Sequence, residues 1–300
     1  MARTLLTDAR WERLRPLLPP QQARTGRPAR DHRQILEGIL WVLRTGAPWR
    51  DLPQEFGPWQ TYATRYYRWV QAGIWTRVLE ELQRQSDATG MVDWSLHQAD
   101  GSVIRAHQHA AGARKRGPRA LPLAEDTAGV AVPPAGPAPE TVVSSPEDPQ
   151  PDEALGRSQG GFSTKLHLRV DRTGKILTFL ITAGQRHEQT AFYRLMERGA
   201  IKRRGRGRPR VRPERLAADK GDSSRTLRRY LRRRGIKAVI PTKKNERRSP
   251  HFDKAAYRER NVVERTINRL KQFRRIATRY EKRAVSYLAM LTLAAIVLWL

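Results

Sequence analysis

The chain has 300 residues and no cysteine, and its 58 Lys and Arg residues against 29 Asp and Glu residues give a net charge of +29. The absence of cysteine excludes a disulfide framework and a zinc–thiolate site, and the length suits one large domain or two smaller ones. The charge favours nucleic acid as a partner, because basic side chains that neutralise phosphates release condensed counterions.

Residues 1–90 carry the apolar spacing of amphipathic helices, and we predict a small all-helical domain there. Gly46 is expected to end the first clear helix, and residues 59–85 repeat its pattern. We expect the tryptophans of this region to be core residues, and an arginine-rich helical domain is a candidate DNA-binding domain, for example a helix-turn-helix. The apolar positions of the first helix are Ile35, Leu36, Ile39, Leu40 and Leu43, and the tryptophans are Trp11, Trp41, Trp49, Trp59, Trp69 and Trp75.

From Trp94 onward the pattern changes to alternating strands and helices, which predicts an α/β domain with a mixed sheet over residues 91–300. The first strand is expected to end at Asp100. Residues 113–161 are rich in Pro, Ala and Gly, which predicts a flexible insertion. The later elements are predicted to be a hairpin of residues 162–170 and 175–182, a helix at 187–199, a strand at 215–218, a helix at 223–234 capped by Asp222, and a strand at 237–241.

Three acids fall where these elements begin or end. Asp100 ends the first predicted strand, and Asp219 follows the strand at 215–218. If these two strands are neighbours, both acids face one crevice at the carboxyl edge of the sheet. On a helix over residues 256–275, four polar side chains would share an arc of about 60° and add a third acid. These four residues are Tyr257, Arg260, Glu264 and Lys271.

Converging carboxylates repel each other unless a cation lies between them, and hard oxygen ligands select Mg²⁺ or Mn²⁺ rather than zinc. Two such ions about 4 Å apart can activate a water or a 3′-hydroxyl, which is the chemistry of phosphodiester cleavage and transfer. Arg260 and Lys271 would then bind DNA phosphates, and Tyr257 would stack on the DNA or hydrogen-bond to it. For an isolated helix a solvated charged face would be the better interpretation, but the order of the acids along the chain favours the metal site.

The segment 203–215 is a second basic feature, with arginines on both sides of Gly207 and Pro209. We expect Arg206, Arg208 and Arg210 to contact DNA. They could do so as a basic loop on the phosphates or as an arm in an A·T-rich minor groove, and the loop is the simpler interpretation. Both interpretations place DNA beside the strand that precedes Asp219.

Neither end of the chain has the pattern of a membrane or export segment. The C-terminal run from Tyr287 to Leu300 is shorter than the roughly 18 residues of a membrane span, and we expect a buried helix there. The N-terminal residues lack the basic and then apolar pattern of a signal peptide. We therefore expect a cytoplasmic, nucleoid-associated protein with no membrane partner.

The segment YRERNVVERTINRLKQFRRIATRY, which begins at Tyr257, resembles the signature of insertion-sequence DDE transposases of the fourth and fifth insertion-sequence families. The segments LEGILWVLRTGAPWRDLPQEFGPWQT, DGSVIRAHQHAAGA, GGFSTKLHLRVD and LAADKG resemble the fifth family's blocks in the same order. The resemblance covers nearly the whole chain except the insertion. It implies an RNase H-like catalytic domain, with Asp100, Asp219 and Glu264 as its catalytic and metal-binding residues.

The resemblance also implies cofactors and partners. Two Mg²⁺ ions, for which Mn²⁺ can substitute, would support cleavage at the element's ends and strand transfer. The partners would be double-stranded DNA with the element's terminal repeats, target DNA, and a second copy of the chain, giving at least a dimer on DNA. Asp222 departs from the family, which usually has an aromatic residue after ADKG. A catalytically decayed, transposase-derived DNA-binding protein and an RNase H-like nuclease are the alternatives.

Overall fold

The structure is a computed structural model that describes residues 5–21, 29–111, 153–186, 189–203, 205–244 and 252–300. Its helices are α1 (Asp8–Leu14), α2 (His32–Thr45), α3 (Trp59–Gln71), α4 (Ile74–Ala88), α5 (Gln108–Ala111), α6 (Gln189–Arg198), α7 (Arg225–Arg233), α8 (Lys254–Arg258), α9 (Asn261–Lys271), α10 (Arg274–Ala277) and α11 (Ala284–Trp299). Its strands are β1 (Leu96–Ala106), β2 (Gly156–Ser158), β3 (Gly161–Asp171), β4 (Ile176–Ala183), β5 (Arg215–Ala217), β6 (Lys237–Val239) and β7 (Thr278–Arg279).

The N-terminal helices form where the sequence supplies both apolar spacing and caps. α2 begins after Asp31, whose carboxylate accepts a hydrogen bond from the Arg33 amide at 2.6 Å. It ends at Gly46, whose φ of 73° is left-handed and therefore favours glycine. The helical pattern and the core role of the tryptophans are confirmed. Trp49, Trp69 and Trp75 are buried, and Trp11, Trp41 and Trp59 pack partly buried against the same core.

These helices share one hydrophobic core with the C-terminal helix α11. The Tyr66 hydroxyl donates a hydrogen bond to the Ser286 carbonyl at 2.8 Å, and the Gln83 amide donates to the Ile176 and Leu177 carbonyls at 3.0 Å. Most of α11 is buried, as predicted for the C-terminal run. Within the described ranges, every helix is too short or too polar to cross a bilayer. A domain boundary at residue 90 stays a prediction.

The sheet is mixed, with an antiparallel half and a parallel half. β1 pairs antiparallel with β3, and β3 pairs antiparallel with β4. On the other side, β5 pairs with β1 and β6 with β5, both in parallel. The longer pairings give the order β4-β3-β1-β5-β6, while β2 pairs with the start of β3 and β7 with the end of β1. Three antiparallel strands followed by two parallel ones are the arrangement of an RNase H-like sheet. The predicted fold class is therefore confirmed.

Side-chain alternation along the strands divides the core between the two faces of the sheet. Ala99 of β1 and Leu216 of β5 pack with α6 and α7. Leu96 and Ala217 face the opposite side and pack with Ala256 of α8. Because Asp100 is four residues from Leu96, it lies on the face that α8 and α9 cover.

Asp100 lies in the middle of β1 rather than at a strand end, so the predicted strand boundary is wrong. The Asp-Gly pair at 100 and 101 resembles a turn. The eleven-residue strand β3 nevertheless pairs with β1 from His97 to Arg105, so the ladder continues through the pair.

The helix predicted over residues 256–275 is interrupted. The Arg260 amide donates a turn-type hydrogen bond to the Tyr257 carbonyl at 3.0 Å, which separates α8 from α9. Tyr257 therefore does not share a helix with Glu264, and the predicted stripe of four residues is wrong as a single helix face. Lys271 is the last residue of α9.

Two further boundaries differ from the prediction. β2 lies inside the predicted insertion because Gly156–Ser158 pairs with the start of β3 as a tight hairpin; residues 113–152 of that insertion lie outside the described residues. Ser224 rather than Asp222 caps α7, since its hydroxyl accepts a hydrogen bond from the Leu227 amide at 3.2 Å. Asp222 is buried instead.

A buried histidine in the sheet should make stability depend on pH. Burial first, and the nearby Lys165 charge second, lower the pKa of His167 to about 4. An unfolded chain binds this proton near pH 6.5, whereas the folded chain does not, so stability is full above 6.5 and falls as the pH drops towards 4. We expect a loss of about 2 kcal/mol between pH 6.5 and 5 from this group, since each pH unit in that window contributes about 1.4 kcal/mol.

Urea unfolding at both pH values would measure this loss in the wild type and in His167→Gln. The variant should lose about 2 kcal/mol less than the wild type over the same interval, because it cannot bind the proton. His109→Gln changes an exposed histidine in the same way and is the control. An equal pH dependence in His167→Gln and wild type would contradict the assignment.

Candidate active site

Two of the three acids are brought together by the parallel pairing of β1 with β5. The register aligns Leu96 with Arg215 and Gln98 with Ala217. Continued by two residues beyond the paired segment, it brings Asp219 level with Asp100. Asp219 begins a short 3-10 turn after β5, and its carboxylate accepts a hydrogen bond from the Gly221 amide at 3.5 Å. Asp219 therefore follows its strand as predicted.

The third acid is positioned by the docking of α9 on β1. The buried Gln98 side chain accepts a hydrogen bond from the Val263 amide at 3.0 Å, next to Glu264 in sequence. One turn later, the Thr266 hydroxyl donates to the Gly174 carbonyl at 3.3 Å. Because Gln98 and Asp100 are two residues apart, they share a face of β1, and α9 is held above both.

Arg260 lies between two of the acids. Its guanidinium donates to the Asp100 carboxylate at 3.1 Å and to the Glu264 carboxylate at 2.5 Å. The Arg260 side chain is 16% exposed, that of Asp100 is 19% exposed and that of Glu264 is 45% exposed. The site is thus half-closed and reachable from solvent on the side of Glu264.

The charges of Glu264 and Asp219 both act on Asp100. Burial raises the pKa of Asp100, and the charges of Glu264 and Asp219 raise it further. The Gly101 amide and the Arg260 guanidinium act in the opposite direction. In the described part of the chain, no group of three His, Cys, Asp or Glu side chains has the spacing of a metal site. The cation that Asp100 and Glu264 share here is Arg260.

The other predicted site residues have different surroundings. The Arg260 guanidinium is 5.8 Å from the centre of the Tyr257 ring, which also packs on Phe252. Arg206 and Arg208 are exposed on the segment before β5. Arg210 instead lies 4.7 Å over the Trp94 ring, with Asp87 at 3.8 Å.

Two features of the site were not predicted from the sequence. The contacts of Arg260 with the acids were missed, because it was assigned to DNA phosphates alone. Gln98 was missed as the docking residue of α9. The signal for Gln98 was its position two residues before Asp100 in a strand, which puts an amide on the same buried face as the acid.

An RNase H-like sheet with acids gathered at its parallel strands defines a class of nucleic-acid-processing enzymes, and the family is given by sequence. Residues 99–300 match the model of the transposase DDE domain, and residues 6–79 match that of a putative transposase of the IS4/5 family. The chain belongs to the transposase DDE domain family. It is a DNA transposase of the insertion-sequence type, an enzyme of metal-dependent DNA cleavage and strand transfer.

Individual relatives agree with this assignment. The chain is 38% identical to the insertion element IS402 uncharacterized 16.2 kDa protein of Burkholderia cepacia, over 42% of this chain and 87% of that protein. It is 31% identical to the putative transposase of insertion sequence element IS6501 of Brucella ovis, over 46% of this chain and 99% of that protein. The crystal structure of the Mos1 strand transfer complex matches with 10% identity and a TM-score of 0.25, over 84% of this chain and 80% of that one, which is too weak to support an argument.

Proposed function

We propose that this transposase uses Asp100, Asp219 and Glu264 as the catalytic carboxylates that hold its divalent metal. The observation that carries the proposal is that the Arg260 guanidinium pairs with both Asp100 and Glu264, while the parallel register of β5 with β1 brings Asp219 level with Asp100. Acids that need a cation in the folded chain suit a metal ion, whose double charge competes well with one guanidinium. The donor set supports the predicted pair of Mg²⁺ ions, with Mn²⁺ as a substitute, because hard cations prefer carboxylate oxygens.

The chain's own residues would orient the reaction. The bound metal supplies the activation of a water or a DNA 3′-hydroxyl and the stabilisation of the leaving oxygen. The hydrogen bonds of Gln98 with the Val263 amide and of Thr266 with the Gly174 carbonyl hold α9, and with it Glu264, against the sheet. In the metal-loaded protein, the planar guanidinium of Arg260 would bind a phosphate of the DNA end, for which its paired donors are suited.

Basic residues around the acids support binding of the element's ends. Lys271 follows Glu264 by about two helical turns on α9, and Tyr257 lies beside Arg260. Arg206, Arg208 and Arg210 belong to the segment that leads into β5 and Asp219. We propose that these residues contact double-stranded DNA, that residues 1–90 help to bind the terminal repeat, and that at least a dimer brings two ends together in the nucleoid-containing cytoplasm.

The proposed function is tested with purified protein and a labelled duplex that ends in the element's terminal repeat. With Mg²⁺ or Mn²⁺, we expect cleavage at the repeat and joining of the freed 3′-end to a second duplex, resolved on a denaturing gel. With EDTA both products should disappear, while binding of the duplex in a gel-shift assay should remain. That pattern would support the transposase.

The alternatives predict different products from the same reactions. Cleavage without joining would indicate an RNase H-like nuclease. Binding without cleavage in either metal would indicate a decayed, DNA-binding copy. Products that persist in EDTA would contradict a metal-dependent site at the three acids.

A further inference from the structure

Helix α7 carries an arginine face that the proposed active site does not use. Five of its nine residues are arginines, and none is acidic. Leu227 and Leu231 are buried against the sheet, in the cluster that contains Leu216 and Ile236. The opposite side of the helix is exposed, and apart from Thr226 its exposed residues are all arginines. Its exposed arginines are Arg225, Arg229, Arg232 and Arg233.

These arginines differ from their neighbours in lacking an internal role. Arg228 donates to the Ser223 hydroxyl and to the Ile240 carbonyl, and Arg234 lies 3.3 Å from Glu197. Among the described residues, no ion pair or hydrogen bond is recorded for the side chains of the four exposed arginines. Like charges four residues apart on a helix repel each other, so this arrangement does not serve stability.

The helix dipole explains only part of the pattern. Arg232 and Arg233 lie in the last turn, where the negative end of the dipole favours cations. Arg225 is the first residue of the helix, where the positive end disfavours a cation by about 0.3–1 kcal/mol. A row of positive charge that runs over the whole helix against this preference indicates an anionic partner.

The geometry of the row fits the backbone of a duplex. Arg225, Arg229 and Arg232 are spaced four and three residues apart, so they form one row of about 10 Å. Phosphates of one strand follow each other every 3.4 Å or so along a DNA axis, and the row spans roughly three of them. Beside the row, a cavity of about 520 Å³ lies between α7 and β6, with Arg232 and Lys237 among its lining residues.

The position of α7 separates this row from the DNA contacts proposed around Glu264. α7 connects the parallel strands β5 and β6. It starts at Arg225, six residues after Asp219, at the edge of the sheet where β5 ends. It then runs over the face that also carries α6. α9, with Glu264, covers the opposite face together with α8.

We infer that the outer face of α7 binds the phosphate backbone of double-stranded DNA that lies outside the terminal repeat, without regard to its sequence. This inference rests on the proposed function, because it assigns a second duplex to an enzyme that acts on DNA ends. Arginine contacts to phosphate carry no sequence information, which suits DNA that varies from one insertion to the next.

The test compares two triple variants that lose the same charge. Arg225→Gln/Arg229→Gln/Arg232→Gln removes the row on α7. Arg172→Gln/Arg215→Gln/Arg234→Gln removes three arginines that already pair with acids. The paired acids of this control set are Glu259, Asp253 and Glu197.

Fluorescence anisotropy would measure the affinity for a labelled 20-base-pair duplex without the repeat, over a range of salt concentrations. We expect the α7 variant to bind at least about 10-fold more weakly at 0.1 M salt, with a salt slope that is smaller by about 0.9 for each lost phosphate contact. The control should change less than about 2-fold. Cleavage of a substrate that consists of the repeat alone should continue in the α7 variant.

Equal losses in the two variants, or an unchanged affinity and salt slope in the α7 variant, would overturn the inference. A general failure to fold would appear as a lowered thermal midpoint, and the single variant Arg229→Gln would then replace the triple variant, with an expected slope change of about 0.9. If the wild type neither binds nor cleaves DNA, the proposed function fails as well. If the wild type cleaves and joins but the α7 variant binds as before, only the inference fails.

Discussion

Replacing Glu264 with glutamine is expected to lower the rate of cleavage at the terminal repeat by at least about 1,000-fold, equivalent to about 4 kcal/mol of barrier. Glutamine keeps the size of the side chain and removes the charge that a divalent cation requires. The fold should survive, because the partly exposed pair with Arg260 contributes at most about 1 kcal/mol. Single-turnover cleavage with Mg²⁺, together with a thermal midpoint, measures both parts of this expectation.

Glu259→Gln is the matched control for this substitution. Glu259 precedes α9 by two residues and pairs with Arg172 at 2.5 Å, away from Asp100. The control should keep cleavage within about 3-fold of wild type, since it changes only a surface ion pair. Full activity in Glu264→Gln, or an equal loss in Glu259→Gln, would show that the third acid has been assigned to the wrong residue.

Replacing Arg279 with methionine is expected to destabilise the chain by about 3–5 kcal/mol. Arg279 is fully buried, and its guanidinium donates to the Glu281 carbonyl at 2.9 Å and to the Thr164 hydroxyl at 2.7 Å. It also donates to the carbonyls of Ala154 and Lys282. Methionine fills a similar length but leaves these acceptors without a donor in the interior, where each missing hydrogen bond is costly.

Arg274→Met supplies the comparison, because it removes an exposed arginine only five residues away. Urea unfolding followed by circular dichroism should place this control within about 0.5 kcal/mol of wild type. A loss below about 1 kcal/mol in Arg279→Met would mean that the buried guanidinium is not needed to join β7 to β3. The same experiment reports on the fold alone, since urea unfolding measures stability and not cleavage.

The order of the helices and strands could be predicted from local sequence patterns. The length of β1 and the break between α8 and α9 could not. The β3–β4 hairpin, α6, α7 and the strand before Asp219 were predictable because alternation and helical spacing are local properties of the sequence. The length of β1 depends on its partner β3, which lies beyond the insertion, so a local interpretation ended the strand at the Asp-Gly pair. The break between α8 and α9 is set by a turn at Arg260, where neither proline nor glycine marks the sequence.

The site shows the same division between local and long-range information. The three acids could be chosen from their order along the chain and from the resemblance of their surroundings. Their relative positions depend on the parallel register of β1 with β5 and on the bond between Gln98 and the Val263 amide. Both contacts span more than 100 residues, and no periodicity records them. The position of Arg260 between Asp100 and Glu264 likewise depends on long-range contacts in the folded chain.

Arg260 also separates folding from metal loading. A small zinc-dependent domain is unfolded without its metal, because nothing else holds its ligands together. Here the chain carries its own counter-ion, since the Arg260 guanidinium pairs with Asp100 at 3.1 Å and with Glu264 at 2.5 Å and offsets part of their negative charge once α9 docks on β1. A newly made molecule can therefore reach its final shape in a cell regardless of how much free divalent metal surrounds it. We therefore expect the supply of the ion to limit DNA cleavage and not folding.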